Sequence, residues 1–560
     1  MASQHDPEKL ASETHSASPA KRVTTVQETE SLSERRLFNG TTRLTTSKDN
    51  KQEVVLIPRP TADPRDPLNI AKWQKLLMLG LITFYSITGL CAINSLGALL
   101  VFFIPDYKAD GISVQRISGL ITYPSLLVGL GNIVSMPLVL SIGRRPVYLA
   151  SNLVLLIGLI LCATSKSFEW HFAARCVVAF AAAQSEATVP LIIQDIFFLH
   201  QRARAYQVWS SSQTLIQSAL VMGSSYMTRD VGWRSWYGLL AAMAGASLLL
   251  GFIFVPETYY DRPAEAWGGD EDSASTTSIN NNREVLQGVN TENDLSDQKI
   301  TETTRHSLDN TSYPPRTLAS DLRILVMPQD FTRLLMTLKH SLQLLFFPHV
   351  FYIALLNGIL VAFDISIIIT YGPILVSPPH NWPETSVSLT QVGQFPVAFL
   401  AIPLLGWFAD RSVVWMAKRN KGVHEPEFRL LTLAFPLILC MVLMIVYGLG
   451  AQYPFKYNWM AIVFPQDVIL LVLFACNTVG LTYLIDAHPQ RAGPICVVIC
   501  VCRGLISFGV SRNTVTYVDE VGFLNLFGAY TGVTGAFAVV GVAVFVWGKR
   551  LRMFCARWAN

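Results

Sequence analysis

The chain has 560 residues, of which 51% are hydrophobic and only 15% are charged. Soluble domains carry about 25% charged residues, so this composition excludes a conventional water-soluble protein and indicates one that lies largely in lipid. The formal net charge of +4 is small and comes from no basic domain, which excludes nucleic acid as a partner.

Residues 1–75 are polar and rich in Ser, Thr, Glu and Lys. They contain no apolar stretch of the kind that a secretory signal peptide needs. We therefore expect a disordered cytosolic tail, followed by an apolar helix that itself directs insertion into the membrane.

Twelve apolar stretches follow this tail, each close to the roughly 20 residues that a helix needs to cross a bilayer. Six lie near 76–104, 117–142, 146–165, 172–198, 205–227 and 233–256, and six near 346–372, 389–409, 430–450, 461–486, 493–514 and 523–547. This arrangement predicts an all-α membrane protein with two six-helix bundles, 76–256 and 346–548, around a central cavity.

A polar segment, 257–345, separates the two bundles, and its middle part from Asp270 to Ser312 is rich in Asn, Ser, Thr and Asp. Such a composition cannot bury an apolar core, so a largely disordered cytosolic linker is predicted. The loops on the side of the N-terminus carry more Lys and Arg than the opposite loops. Both termini, including the tail 549–560, are therefore predicted to be cytosolic.

Ionisable residues inside apolar helices are costly in lipid, which makes them candidates for function. In the fourth predicted helix, Arg175 and Glu186 are 11 residues apart. This spacing puts them on one face at a separation of roughly 16 Å. Glu186 falls near the membrane midplane, where transporter sites lie. We expect it to bind a proton or a cation; the alternative is a structural carboxylate satisfied by neighbouring helices.

Polar side chains in other helices extend this candidate site. Gln213 and Gln217 lie one turn apart in the fifth helix, a spacing compatible either with lining a cavity or with bonding to neighbouring helices. The candidates in the remaining helices are Asn94, Asn357, Asp364 and Arg503.

Two short motifs occupy equivalent loops of the two halves. Their residues are Gly143, Arg144 and Arg145 after the second helix, and Gly406, Asp410 and Arg411 after the eighth. Each motif is part of the loop signature G-x-x-x-D-R-x-G-R-R, and on this basis the chain resembles the major facilitator superfamily. The first half lacks the D-R pair, and the second half lacks G-R-R.

Further motifs resemble the fungal drug:proton antiporter-like branch of that family. They are a D-P-x-x-P-x-N pattern from Asp63, a G-W-R-S-W loop from Gly232, a P-E-T turn from Pro256 and a T-Y-L-I-D segment from Thr482. The fifth helix departs from the branch because it lacks the G-x-x-x-G-P signature of antiporters. Because this signature is missing, the motifs leave open whether the protein exports drugs in exchange for protons.

The resemblance implies a secondary transporter that moves a small organic solute by alternating access, coupled to protons. The solute would be a drug, a metabolite or a polyamine-like cation. Glu186 would be the proton site, Arg175 and Arg503 would tune it or bind an anionic group, and the two loops would act as latches.

The resemblance also implies a monomer in a fungal plasma membrane that needs no cofactor or metal. The sequence contains no nucleotide-binding loop and no catalytic cluster within the helices, so an enzyme is not expected. The alternatives are a non-transporting nutrient sensor on the same fold, and a uniporter or symporter for a small nutrient.

Overall fold

The computed structural model describes residues 45–48, 51–54, 58, 60–61, 63–260, 262, 316–326, 331–401, 403–405, 411–412, 415–416, 419, 425–488 and 491–558. For residues 45–48, 51–54, 186–187, 199–200, 203, 318–319 and 556–558, only the main chain is described. Residues 1–44 of the predicted tail and the middle of the predicted linker, 270–312, lie outside the described residues.

Six helical spans make up the first half of the protein. They are span 1 (Lys72–Asn94 and Leu96–Ala109), span 2 (Val114–Ser141), span 3 (Arg144–Ala163), span 4 (Phe168–Ala182 and Gln184–Ile196), span 5 (Leu199–Val231) and span 6 (Trp233–Phe254).

Six further spans make up the second half. They are span 7 (Pro348–Val376), span 8 (the 3-10 helix Glu384–Gly393, then Gln394–Ala401), span 9 (the 3-10 helix Pro426–Leu433, then Ala434–Gln452), span 10 (Met460–Ala487), span 11 (Ala492–Ser511, extended by Thr514–Val521) and span 12 (Phe523–Trp558). Outside the spans lie an antiparallel hairpin (Thr45–Lys48 and Lys51–Val54), a 3-10 turn (Pro67–Asn69) and the helices Leu318–Asp321 and Phe331–Leu345.

Ten helices within the described residues are long and apolar enough to cross a membrane. Spans 4 and 5 are not among these ten: span 4 is divided at Ala183, and span 5 carries many polar residues. Both nevertheless pack inside the protein: span 4 against spans 1, 2 and 3, and span 5 against spans 1, 4 and 6. The prediction of an all-α membrane fold with two six-helix bundles is confirmed.

Each half has its own apolar core, while other apolar side chains point outward. Trp236 and Leu240 are buried in the first half, and Phe363 and Tyr447 in the second. Large exposed apolar side chains such as that of Val539 face the surroundings of the bundle. Because the chain crosses a membrane, these exposed side chains are solvated by lipid rather than by water.

One face of the bundle holds the starts of the odd-numbered spans and the ends of the even-numbered ones, and we call it the terminal face. On this face, residues that the sequence assigned to the tail are folded. Asp66 caps the 3-10 turn by accepting a 2.9 Å hydrogen bond from Leu68 N–H, and its carboxylate pairs with Arg262 at 2.9 Å. The carboxylate of Asp66 is therefore buried and satisfied, and the folded chain begins before residue 75.

Candidate functional site

A central cavity lies between the two halves. Its empty volume is about 1600 Å³, open solvent at its mouth included. Spans 1, 2 and 5 line it from the first half, and spans 7, 8, 10 and 11 from the second. A site shared by both halves is the geometry that alternating access requires, because relative motion of the halves changes which side can reach it.

Six residues that the sequence singled out line this cavity: Asn94, Gln213, Gln217, Asn357, Asp364 and Arg503. They come from four different spans of the two halves. Polar side chains inside long apolar helices thus converge on one space.

Asp364 places a carboxylate on the cavity wall. Its side chain is half-buried in span 7, and no ion pair to it is found among the described residues. Arg503, across the wall on span 11, is engaged in an interaction within the protein. The carboxyl of Asp364 therefore lies in the cavity where, when ionised, it could pair with a cationic ligand.

Amide side chains around the carboxylate are held in place by hydrogen bonds. Ser86 donates to Gln213 at 2.7 Å, which fixes that amide from span 1. Asn357 donates to Asn477 of span 10. These contacts leave the cavity with oriented neutral dipoles of the kind that discriminate among polar ligands.

Aromatic residues that the sequence analysis did not single out also line the cavity. Tyr206 and Trp209 lie in span 5 at i and i+3, on the same helical face as Gln213 and Gln217, and Phe474 faces them from span 10. Continuing the i, i+3, i+4 pattern of the span 5 amides towards the N-terminus would have identified Tyr206 and Trp209.

Arg175, the fourth-helix arginine, lies outside the cavity lining and holds the first half together. Its guanidinium donates to the carbonyls of Leu120 at 2.9 Å and Ala92 at 3.0 Å, and to the hydroxyl of Tyr237 at 2.9 Å. Pro124 cannot donate to the carbonyl four residues before it, so the Leu120 carbonyl lacks its helical partner. Arg175 satisfies this carbonyl.

Four other predicted residues receive little or no structural description. Glu186 belongs by its main chain to the second part of span 4, but its side chain lies outside the described atoms. Gly406 and Asp410 lie outside the described residues, and Arg411 is exposed in a short helical piece.

The first-half loop motif is the centre of a polar network on the terminal face. Glu257, at the end of span 6, accepts hydrogen bonds from the main-chain N–H groups of Arg144 at 2.9 Å and Arg145 at 3.1 Å. The side chain of Arg144 pairs with Asp195 of span 4 at 3.1 Å. An anion at a helix N-terminus is stabilised by free N–H groups and by the helix dipole, so Glu257 fastens span 3 to span 6.

Gly143 is required in this network for two reasons. Its φ of +118° is rarely adopted by residues with a side chain. A Cβ at this position would also overlap the carboxylate of Glu257. The glycine of the motif therefore allows the acidic group to reach the start of span 3.

The second half has an equivalent network that the sequence analysis missed. Arg429 at the start of span 9 pairs with Asp486 at the end of span 10, at 2.7 Å. Arg552 of span 12 binds Glu425 at 2.7 Å and Glu427 at 3.3 Å. In this network the cation comes from span 12 and the anions come from the start of span 9. In the first half the anion follows span 6 and the positively polarised N–H groups belong to the start of span 3, so the charges are reversed.

The halves touch closely at the face opposite the terminal face. Ser218 of span 5 donates to Gln394 of span 8 at 2.6 Å, and Ser388 donates to the Met222 carbonyl at 2.9 Å. At the terminal face, by contrast, a crevice between spans 4, 5, 9 and 10 shares Tyr206 with the cavity. The contacts of Ser218 and Ser388 thus lie towards the opposite face, and the crevice at the terminal face adjoins the cavity at Tyr206.

Comparison with known proteins identifies the family. The sequence model described as Major Facilitator Superfamily matches residues 85–493. The chain belongs to the major facilitator superfamily, and it is a multi-pass membrane transporter rather than an enzyme.

Known relatives are similar to this chain over most of their length. Protein HOL1 of Saccharomyces cerevisiae is 23% identical, over 94% of this chain and 95% of its own. The MFS-type transporter penM of Penicillium rubens is 22% identical, over 88% of each.

A crystal structure of the peptide transporter POT in complex with sulfate has a TM-score of 0.56 at 12% identity, and covers 87% of this chain and 97% of its own. The crystal structure of the human organic anion transporter MFSD10 has a TM-score of 0.51 at 15% identity, and it covers 83% of this chain and 99% of its own. At these identities the structural likeness concerns the fold alone.

Proposed function

We propose that this protein carries a small organic solute with a cationic group across the membrane by alternating access, coupled to protons. The observation that supports this most is the Asp364 carboxylate, which lines the central cavity without an ion pair among the described residues. A cation in the cavity would neutralise it, and a proton would do so when the cation is absent. Competition between the cation and the proton for the Asp364 carboxylate is the simplest way to exchange one for the other across the membrane.

The walls of the cavity also suit an organic cation. Tyr206, Trp209 and Phe474 present aromatic surface, and aromatic rings attract cations through their quadrupole. The amide side chains of Gln213 and Asn357 add polar groups to the cavity lining. An ammonium group on an apolar or polyamine-like skeleton would thus meet the carboxylate, the rings and the amides together.

Alternating access would proceed by exchange of contacts between the two faces. The hydrogen bonds that Ser218 and Ser388 make would break as the crevice at the terminal face closes. Each half would move largely as a rigid body, because the networks centred on Glu257 and Arg552 join helices within one half. Glu186 in span 4 is a second proposed proton carrier, on the basis of its depth in the span.

We further propose that the protein acts as a monomer in the plasma membrane, with the terminal face in the cytosol. The motif arginines Arg144 and Arg145, together with Arg202, Arg429 and Arg552, all lie at ends of spans on that face. Positive charge concentrated on one face favours its cytosolic placement. Membership of the drug:proton antiporter-like branch stays a prediction from the motifs.

The test is transport by the purified full-length protein in liposomes, with and without a pH gradient. The panel would contain radiolabelled primary, quaternary and polyamine cations, together with organic anions and neutral sugars of similar size. We expect uptake of one or more cations, accelerated by the pH gradient, and no uptake of anions or sugars. Uptake restricted to anions or neutral solutes would contradict the proposal.

A further inference from the structure

A second buried carboxyl lies outside the central cavity, in span 10. The side chain of Asp467 is 4% exposed, and its Oδ1 has no hydrogen-bond partner. No ion pair to it is found in the described part of the chain. Its burial and lack of a partner are unusual, since a buried carboxylate is normally paired or hydrogen-bonded.

The carboxyl of Asp467 packs directly on the main chain of span 8. A Cβ at Gly393 would overlap it, so the glycine creates the space that the carboxyl occupies. The neighbouring Gln466 reaches Thr390 of span 8 at 3.5 Å. From span 7, the phenol of Tyr371 lies within electrostatic range of Asp467. The surroundings of Asp467 in the described residues thus contain polar groups and no cation.

Gly393 is also the last residue of an unusual helical stretch. The 3-10 helix Glu384–Gly393 has 10 residues, whereas 3-10 runs longer than three or four residues are uncommon and often mark hinges. This stretch and the residue after it make the contacts that close the opposite face, through Ser388 and Gln394. Asp467 therefore lies behind the segment of span 8 that joins the two halves.

We propose that Asp467 is a proton-binding carboxyl that controls closure of the opposite face. It is neutral while span 8 covers it. When the 3-10 segment moves away from span 5 and also separates locally from span 10, water reaches the carboxyl and it releases its proton to the water at that face. Closure takes one proton back from the same water, because an ionised carboxylate without a partner is unfavourable in this site. The idea rests on the proposed alternating access, and it assigns Asp467 a role separate from that of Asp364.

Hydrogen–deuterium exchange of the purified full-length protein tests this without a substrate. The measured quantity is the exchange rate of the peptides that contain residues 384–394 and 218–224, in the wild-type protein relative to Asp467→Asn. The intrinsic pH dependence of exchange cancels in this ratio, because residue 467 lies in neither peptide. We expect the wild-type protein to exchange faster at high pH, by several-fold, and the ratio to approach one as pH falls.

Two further variants sharpen the result. Asp467→Glu retains a titrating carboxyl and should retain the pH-dependent ratio, whereas Asp230→Asn, which removes an exposed carboxylate on the same face, should match the wild-type protein.

In infrared spectra, a protonated carboxylic-acid band should be present in the wild-type protein and absent in Asp467→Asn. A ratio independent of pH, or an unchanged infrared band, would overturn the proposal. Neither result depends on the transported solute, so each separates this idea from the proposed function.

Discussion

Ser218 in span 5 donates a 2.6 Å hydrogen bond to Gln394 in span 8, and this bond joins the two halves at the opposite face. Both side chains are buried. A hydrogen bond of this kind is worth about 0.5–1.5 kcal/mol. Its free energy is available only in the conformation that is closed at the opposite face, so it biases the equilibrium between the two access states.

Ser218→Ala should therefore shift the population towards opening at the opposite face by up to about tenfold. The measurement is hydrogen exchange of residues 384–394, which should become faster. Ser224→Ala is a matched control, because Ser224 is equally buried in the same span but donates to the Val221 carbonyl within its own helix. Equal exchange in the two variants would show that the Ser218 bond does not hold the face closed.

Arg175→Met should destabilise the first half, by at least about 2 kcal/mol, because it removes the guanidinium that donates to the buried carbonyls of Leu120 and Ala92 and to the hydroxyl of Tyr237. The midpoint of thermal unfolding in detergent should fall. Arg116→Met, which removes an exposed pair with Glu169, should change it little. If the Arg175 variant were fully stable but defective in ligand binding, the scaffold role would be contradicted.

Gly143→Ala should destabilise the terminal face by more than about 1 kcal/mol, since φ is positive and the new methyl group would displace Glu257. The midpoint of thermal unfolding measures this. Gly223→Ala in span 5 is the control, because open space surrounds that glycine and alanine is the better helix former. A Gly143 variant as stable as the control would argue against the Glu257 network.

The pH dependence of stability should contain a contribution from Glu425, just before span 9. Burial works to raise the pKa of its carboxyl, but hydrogen bonds from Lys549 and Arg552 outweigh burial and lower the pKa. A lowered pKa in the folded protein adds stability above the ordinary pKa of the group, and this stability is lost as pH falls through the lowered value.

Glu425→Gln should accordingly be less stable than the wild-type protein at neutral pH, and the difference should shrink in acid. The midpoint of thermal unfolding across a pH series measures this. Glu169→Gln, at an exposed pair, should show no such convergence. A difference between Glu425→Gln and the wild-type protein that stays constant from neutral to acid pH would show that the ion pairs are not the cause.

The sequence predicted much of this architecture, because apolar length follows directly from the physics of a bilayer. It also singled out Asp364 and Gln213 as candidates, since a polar group inside an apolar helix must turn away from lipid. The role of Arg175 could not be predicted, because it depends on which backbone carbonyls lose their partners, and Pro124 frees one of these on another helix.

Asp467 was missed for a different reason. It lies inside the tenth apolar stretch, 461–486, but near its start, where the sequence does not show whether a carboxyl is buried. Only the packing of span 8 over it, which the glycine at 393 permits, makes the site dry. The networks of the second half were equally hidden, because their pairs join residues as distant in sequence as Glu425 and Arg552.

The central claim is that the Asp364 carboxylate binds a cationic group in the cavity. The most direct measurement is uptake of a radiolabelled organic cation into liposomes by Asp364→Asn, with Asp364→Glu and Asp230→Asn measured beside it. We predict that Asp364→Asn binds the cation at least about tenfold more weakly and loses acceleration by a pH gradient. Asp364→Glu should retain part of both, and Asp230→Asn should match the wild-type protein. Wild-type affinity and gradient-driven uptake in Asp364→Asn would contradict the account.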